Sequence, residues 1–414
     1  MTSIGGIPLS IFILVAVFIL IAIRQVGNVR LRIWQVMLIG AVLVLVTGEI
    51  GPVDAALSVN LDVMFFLLGM FIIGEALHQS GYLAHISHRI FRRAKSVDGL
   101  ILLILFVIGG LSALLMNDTL AVIGTPLVLM FAKKHGISPK LLLMTLAIAV
   151  TTGSVMSPIG NPQNLLIALD GGFENPFVTF FTYLAIPTII NLFIAFLVLR
   201  IFFRDEFTTD RLDHADEPVS DQRLAQLCKI SLAAILLLIA LKIALVFLHS
   251  EFDMRLTYIA IIAAAPIVLF SGRRKSVVKK VDWATLVFFA AMFVLMQAVW
   301  NTGFFQGTLS GTDVTNVPTI MGLSVSVSQL ISNVPFVALF MQMLGSANQL
   351  GMIALAAGST IAGNLFILGA ASNVIIIQNA ERQGSTLTFF DFAKVGIPLT
   401  AVNILVYWVF LGPF

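Results

Sequence analysis

Apolar segments of about 20 residues recur along the whole chain, which is the length that one α-helix needs to cross the hydrocarbon core of a membrane. Short polar or basic stretches separate these segments. The predicted spans lie near residues 7–23, 33–49, 61–77, 140–169, 177–203, 228–248, 255–271, 283–300, 349–379 and 391–412. The pattern therefore predicts an all-α polytopic membrane protein.

Two further apolar stretches, 98–132 and 316–345, are too long for one span and carry polar residues near their middle. We predict that each forms a re-entrant hairpin, which enters and leaves the membrane on the same side. Asn117-Asp118-Thr119 lies at the first break, and Ser332-Asn333-Val334-Pro335 lies at the second.

The spans 140–169 and 349–379 are also interrupted, the first by residues 160–164 (GNPQN) and the second by residues 369–373 (GAASN). Lipid cannot hydrogen-bond the backbone groups that such a break frees, so breaks persist only beside protein or a water-filled cavity. Broken helices at corresponding places of two half-chains point to the binding site of a secondary transporter.

Three patches of the first half recur in the same order in the second half. The pairs are Met64–Leu83 with Leu286–Phe305, Ser112–Asn117 with Ser328–Asn333, and Gly160–Asn164 with Gly369–Asn373. We predict two inverted repeats, 1–203 and 228–414, each with five spans and one hairpin, and with broken helices at the midplane. A cytoplasmic linker at 204–227 joins them.

The composition excludes a soluble domain, since 59% of the residues are hydrophobic and only 11% are charged. The single cysteine, Cys228, excludes an internal disulfide framework and a metal site made of cysteines alone. The first apolar segment lacks a charged leader and a cleavage site, so we expect it to be a retained span.

The basic residues set the expected orientation. In this arrangement of spans every Lys and Arg except Lys242 and Arg255 falls in loops on one side. Because basic loops stay in the cytoplasm, that side is predicted to be cytoplasmic and both termini extracytoplasmic, in the plasma (inner) membrane. The net charge of +3 is thus a topology signal, and we expect lipid and no nucleic acid as a partner.

Asp118 is the strongest candidate functional residue, because an ionisable group at bilayer depth is costly and usually functional. We predict that it couples transport to protons, with a helix cap as the alternative role. Glu75 is a second candidate for proton coupling, although its repeat partner is the neutral Gln297 and an interfacial role remains open. Lys242 lies within the span 228–248, where we favour a scaffold role.

Neutral polar residues around the breaks are predicted to bind the solute, although each could instead satisfy freed backbone groups. They are Asn117, Thr119, Asn161, Asn164, Asn333, Ser372 and Asn373. One carboxylate among amides and hydroxyls offers too little charge for a divalent metal, so we expect no metal and no cofactor. Such a site suits a small, neutral, hydroxyl-bearing solute such as arsenous acid, or a small anion held at half-helix N-termini.

These residues resemble a known superfamily. LLMNDTLAVIGTPLVL resembles the Asn-Asp hairpin of arsenical pump membrane proteins, and GNPQN and GAASN resemble the tip loops of the ion transporter superfamily. That superfamily includes sodium/proton antiporters and divalent-anion/sodium symporters. The dicarboxylate symporters carry Ser-Asn-Thr at both tips and a double proline in the tip loops, whereas this chain has Asn-Asp-Thr and Ser-Asn-Val and lacks the double proline.

The resemblance implies a proton-coupled antiporter that exports arsenite and antimonite by alternating access and confers arsenical resistance. It also implies an elevator motion, a homodimer and a soluble ATPase partner. The alternatives are a small-anion permease, a sodium/proton antiporter, a channel and an intramembrane enzyme. An enzyme is disfavoured, because the chain has no HExxH, no GxSxG and no second intramembrane aspartate for a catalytic dyad. A channel is disfavoured because broken helices from both halves indicate a closed central site.

Overall fold

The computed structural model describes residues 3–4, 7–23, 25–26, 29–30, 32–82, 85–86, 94–207, 221–248, 250, 252, 254–304, 307, 316–344 and 348–412. Helices make up nearly all of them, which confirms the predicted all-α class. Two short antiparallel pairs of strands lie near the N-terminus: β1 (Ser3–Ile4) with β2 (Ile7–Pro8), and β3 (Gln25–Val26) with β4 (Val29–Arg30). Most of the predicted linker, 208–220, lies outside the described residues.

The helices of the first part of the chain follow the predicted apolar segments. They are α1 (Leu9–Ile23), α2 (Ile33–Val46), α3 (Pro52–Ser58), α4 (Leu61–Ser80), α5 (Val97–Leu115), α6 (Asn117–His135), α7 (Pro139–Ser154), α8 (Pro162–Asp170) and α9 (Pro176–Phe202). A π-helical stretch, Ile104–Ile108, lies inside α5.

The second part of the chain also contains long, paired and broken helices. Its helices are α10 (Gln222–Phe247), α11 (Leu256–Phe270), α12 (Arg274–Lys280), α13 (Trp283–Trp300), α14 (Val317–Ile331), α15 (Asn333–Leu344), α16 (Gln349–Ile361), α17 (Ala371–Glu381) and α18 (Phe389–Leu411). Six helices are by themselves long and apolar enough to cross a membrane: α4, α5, α9, α10, α13 and α18. The chain is an integral membrane protein.

The two predicted hairpins are each broken at a single residue with a left-handed backbone. Met116 has φ 58° and Ser332 has φ 68°, a conformation that costs energy for residues with a side chain. The amide of Asn117 donates to the carbonyl oxygen of Gly160 at 2.8 Å, which ties the first hairpin to the break between α7 and α8. Met116 occupies the N-cap position of α6, so Asp118 lies in its first turn and is not the capping residue.

Helix α7 forms the centre of the fold, and its residues from Leu141 to Ser154 are all buried. It crosses α5 at very short range, because a Cβ built on Gly153 would lie 2.2 Å from the carbonyl oxygen of Gly109. Only glycine permits this approach. The crossing holds the end of α7, and therefore the break that follows it, against the first arm of the hairpin.

Candidate functional site

A cavity of about 1030 Å³ lies where the helix breaks meet α1, α2 and α13. Asn117, Asp118, Gln163 and Asn333 contribute polar groups to its lining. Toward its mouth the wall includes charged residues of both signs, namely Arg32, Asp282, Glu381 and Arg382. The cavity therefore leads from one end of the helices to the middle of the fold.

Three of the predicted site residues line this cavity: Asn117, Asp118 and Asn333. Asp118 is 9% exposed, and no Lys or Arg among the described residues forms an ion pair with it. A buried carboxylate without a cationic partner is costly at bilayer depth, which favours a functional role for Asp118 over a purely structural one.

Two residues of the lining, Gln329 and Asn333, have buried side-chain oxygens. The side-chain oxygens of Asn333 and Gln329 are buried and have no hydrogen-bond partner among the described residues, and both residues line the cavity. The amide nitrogen of Gln329 donates to the carbonyl oxygens of Val325 at 3.0 Å and Ala362 at 2.8 Å, which fixes the direction of the side chain. The Gln329 oxygen faces Gly369, where an added Cβ would lie 2.8 Å from it. The Asp118 carboxylate, and not these two oxygens, is therefore the acceptor that the lining offers to a ligand with hydrogen-bond donors.

The remaining predicted polar residues lie behind the cavity wall. Thr119 packs against Gly74 of α4, where an added Cβ would lie 2.7 Å from the methyl carbon of the threonine. Asn161, Asn164, Ser372 and Asn373 are 0–1% exposed and do not contribute to the lining. These side chains hold the tips in place.

A buried network joins the two halves of the chain at Thr360 of α16. Its hydroxyl accepts from Asn161 Nδ2 at 3.2 Å and Gln163 Nε2 at 3.4 Å, and donates to Asn164 Oδ1 at 3.2 Å. Asn161 Nδ2 also donates to Ser154 Oγ at 3.0 Å. Threonine 360 therefore links the α7–α8 break to the broken helix of the second half.

Other amides brace the breaks directly. Asn164 Nδ2 lies 3.1–3.3 Å from the carbonyl oxygens of Ser154, Val155 and Ser157, at the end of α7 and just beyond it. Asn373 Nδ2 donates to the carbonyl oxygen of Gly363 at 2.6 Å. This is the backbone role that the sequence left open for each of these residues.

Contacts across the halves continue on either side of Thr360. Asn117 Nδ2 lies 3.5 Å from Ser372 Oγ, and Asn364 Nδ2 donates to Thr152 Oγ1 at 3.0 Å. The same Asn364 Nδ2 lies 3.2 Å from Asn403 Oδ1 of α18. The two hairpins and the two broken helices thus form one polar, hydrogen-bonded core.

Glu75 and Lys242 both lie apart from the cavity. Glu75 Oε1 accepts from Gln79 Nε2 at 2.7 Å, and Glu75 Oε2 lies 4.0 Å from Nδ1 of His78, one turn along α4. Lys242 is buried, and its Nζ donates to the carbonyl oxygen of Met254 at 2.8 Å, which joins α10 to the segment before α11. Neither residue reaches the lining that contains Asp118.

Several lining residues were missed by the sequence analysis, notably Gln163, Gln329 and Thr285. Gln163 stands inside the GNPQN motif, and Gln329 comes three residues before the break at Ser332. Both residues could have been predicted from the sequence, because each is a polar residue within one helical turn of a break. Among the described residues, no group of three or more His, Cys, Asp or Glu could hold a metal ion.

The comparison with known families now identifies the class of protein. Residues 15–352 match the family CitMHS, described as citrate transporter. The chain belongs to this family. It is therefore a membrane transporter, which is the class that the broken helices predicted. The family match does not single out the arsenical pump branch.

Relatives and a solved structure agree with this class. An uncharacterised transporter of Mycobacterium tuberculosis is 28% identical, with 97% of each chain covered. The silicon efflux transporter of Oryza sativa subsp. japonica is 25% identical over 96% of this chain and 95% of its own length. The P protein of Homo sapiens is 22% identical over 83% of this chain, which matches 52% of that protein.

The fold is also similar to a known one. The YdaH transporter of Alcanivorax borkumensis superposes with a TM-score of 0.56 and 16% sequence identity, covering 98% of this chain and 97% of that one. At this identity the likeness concerns the fold alone.

Proposed function

We propose that this transporter exports a small uncharged acid that carries several hydroxyl groups, with arsenous and antimonous acid as the first candidates. The observation that carries the proposal is the lining of the cavity, in which the oxygens of the Asp118 carboxylate lie among the neutral polar side chains of Asn117, Gln163 and Asn333. Hydroxyl groups are donors as well as acceptors, so they can satisfy such oxygens without bringing charge.

One relative supports the same chemical class. The plant protein is described as a silicon efflux transporter, and silicic acid is also a small, uncharged molecule with several hydroxyl groups. A cavity that binds arsenous acid through hydroxyl contacts would bind silicic acid by the same groups. The transported element is therefore a matter of size and geometry within one class of solute.

Proton coupling is assigned to Asp118. The carboxylate lies at the helix break, lines the cavity and has no cationic partner among the described residues. A protonated Asp118 is neutral and can donate a hydrogen bond, whereas the charged form only accepts. The two states therefore bind a hydroxylated solute differently, which links proton movement to solute release.

Alternating access fits the packing of the two halves. We propose that they form inverted repeats whose hairpins and broken helices move together, because the Thr360 network ties them through buried hydrogen bonds. The boundary that opens and closes would then run between this core and the scaffold, to which α13 belongs. Such a motion is an elevator, with the cavity mouth at Arg32 and Arg382 on the cytoplasmic side and both termini outside.

A second candidate is a permease for a citrate-like anion. Arg32 and Arg382 line the mouth of the cavity, and the family is described as citrate transporter. Against this candidate, the lining also carries the Asp118 carboxylate, which has no cationic partner among the described residues and repels an anionic ligand.

Transport in liposomes decides between the two. Purified protein should accumulate arsenite, antimonite or silicic acid under an imposed pH gradient without an ATPase, and should not accumulate citrate. Asp118→Asn should abolish uphill movement, since it keeps the shape of the side chain and removes the titratable proton. Asp54→Asn is the control, because Asp54 is an exposed acid on α3 away from the cavity. Citrate accumulation without movement of the neutral acids would refute the proposal.

A further inference from the structure

A second, smaller cavity of about 330 Å³ lies at the opposite end of the helices that line the first. Its polar lining consists of Ser58, Asn60, Asp170, Gln297 and Gln342. Helices α8, α13 and α15 each contribute to both cavities, with their N-terminal residues in the first and their C-terminal residues in the second.

The barrier between the two cavities is thin. On α13, Phe289 lines the first cavity and Phe293 lines the second. Four residues of helix correspond to about 6 Å along its axis. On α15, Pro335 lines the first cavity and Ala338 lines the second, which is a similar separation. Along α13 and α15, about one helical turn therefore separates the residues that line the first cavity from those that line the second.

The second cavity is rich in acceptors because its donors are used within the protein. Gln342 Nε2 donates to the carbonyl oxygen of Ala338 at 3.1 Å, and Gln297 Nε2 donates to Asn301 Oδ1 at 2.8 Å. The hydroxyl of Ser58 donates to the carbonyl oxygen of Ala55 at 2.8 Å. The carboxylate of the exposed Asp170 and the glutamine carbonyl oxygens are the acceptors of this lining. Carboxylate and amide oxygens are the groups that bind hard cations.

Charge favours a cation as well. Asp62 of α4 adds a second carboxylate near Asp170, but Asp62 is already paired with Arg255 at 3.3 Å and with the Thr257 hydroxyl at 2.8 Å. Two of the described helices that pack against α8, namely α15 and α16, carry no charged residue. No ion pair among the described residues involves Asp170.

Asp170 is instead held by one neutral contact. Asn60 Nδ2 donates to Asp170 Oδ2 at 3.1 Å and thereby joins the start of α4 to the end of α8. Asn60 also caps α4, since its Oδ1 accepts from the amide of Val63 at 3.1 Å. The bond therefore runs between the scaffold and the moving core of the proposed elevator, so it must break when the core moves.

We propose that the second cavity is the loading site for the coupling cation, which binds Asp170 from the side opposite the solute cavity and displaces Asn60. The cation is a proton or a sodium ion, which a carboxylate with amide oxygens accommodates in either case. In this arrangement the exporter has two separate entry sites: the solute binds at one end of α8, and the cation binds at the other. This inference rests on the proposed proton-coupled export: a proton that loads at Asp170 would go on to Asp118, whereas a sodium site at Asp170 would replace Asp118 as the coupling group.

Protection of an introduced thiol tests cation binding without any transport. In a Cys228→Ser background, Ser58→Cys places a thiol in the cavity wall. Saturating sodium at constant pH, or low pH without sodium, should slow labelling by an impermeant thiol reagent several-fold. Asp170→Asn should abolish the protection, and Asp54→Asn should preserve it. For the pH arm, each rate is divided by that of Asp170→Asn at the same pH, because the thiol itself titrates.

The sodium experiment and the low-pH experiment together identify the cation. Their outcomes can be distinguished from those of the solute assay in liposomes. Protection by sodium alone indicates a sodium site, and protection by low pH alone indicates a proton site. Protection that survives in Asp170→Asn, or none with either cation, would overturn the proposal. If arsenite, antimonite and silicic acid all fail in liposomes while protection still depends on Asp170, the cation site stands and the solute assignment fails.

Discussion

Replacing Thr360 by valine removes the hydroxyl that joins the two halves while keeping the shape of the side chain. Three amide groups lose a contact. Asn161 Nδ2 keeps its bond to Ser154 Oγ at 3.0 Å, and Gln163 lines the cavity, where water can replace the lost partner. Asn164 Oδ1 has no such substitute, because Asn164 is 0% exposed.

The expected cost follows from that one stranded acceptor. Leaving a buried polar group without a partner costs about 1–3 kcal/mol, so Thr360→Val should lower the free energy of unfolding by that amount. Thr145→Val is the matched control. Thr145 is also 0% exposed, but its hydroxyl donates only to the carbonyl oxygen of Leu141 in its own helix, at 2.7 Å. That oxygen keeps its helical donor, so the control should lose about 1 kcal/mol or less.

Denaturant unfolding in mild detergent, followed by circular dichroism, measures the difference between the two variants. Thr360→Ser keeps the hydroxyl and should recover most of the loss, apart from the missing methyl group. Solute binding should weaken in Thr360→Val more than in Thr145→Val, since the network positions Gln163 in the cavity wall. Equal losses in Thr360→Val and Thr145→Val would show that the hydroxyl does not tie the halves together.

Three further predictions address the crossing of α5 and α7, the asparagine side chains that bond the helix breaks, and the membrane topology. Gly153→Ala should lower the free energy of unfolding by about 1–3 kcal/mol, because the added methyl group overpacks against Gly109. Gly110→Ala is the control and should be tolerated, since its methyl group would meet nothing within 4 Å. Equal melting temperatures of the two variants would contradict the close crossing of α5 and α7. Asn164→Ala should lower thermal stability because the carbonyl oxygen of Val155 loses its donor and those of Ser154 and Ser157 keep only backbone contacts of 3.4 and 3.3 Å. Asn333→Ala should chiefly weaken solute binding in an equilibrium assay, and the reverse pattern would move Asn164 into the site. In Cys228→Ser protein, an impermeant thiol reagent applied to whole cells should label Ser58→Cys and spare Ser276→Cys, and the opposite result would invert the proposed orientation.

The sequence predicted the helices well because a membrane span must be long, apolar and internally hydrogen-bonded. The predicted span 283–300 coincides with α13, and 61–77 falls within α4. Both hairpin breaks also lie where polar residues interrupt apolar sequence, at Met116 and Ser332. Lipid enforces these features locally, so they can be read from a single chain.

Which polar residues line the cavity and which ones only bond the helix breaks could not be predicted in the same way. Asn161 and Gln163 are two positions apart in one motif, yet Asn161 is buried behind the wall and Gln163 lines the cavity. Which side of a half-helix faces the cavity depends on how the other half packs, here through Thr360. That contact joins residues almost 200 positions apart, and no local pattern encodes it.

The unequal cavities suggest which state the structure represents. About 1030 Å³ lies open on the Asp118 side of the barrier and about 330 Å³ on the Asp170 side. Because the same three helices line both, sliding α8 and α15 along α13 would shrink one cavity as it enlarges the other. We infer that the structure is the solute-loading state, in which the Asn60–Asp170 bond is intact. A short thiol cross-link between Asn60→Cys and Asp170→Cys should hold this state. Because the pair also removes the Asp170 carboxylate, downhill movement of solute, which needs no coupling cation, is compared in the double variant before and after reduction. The reduced form should carry solute down its gradient, and the cross-linked form should only bind it from the Arg32 side. Transport that continues at full rate after complete cross-linking would show that this boundary does not move.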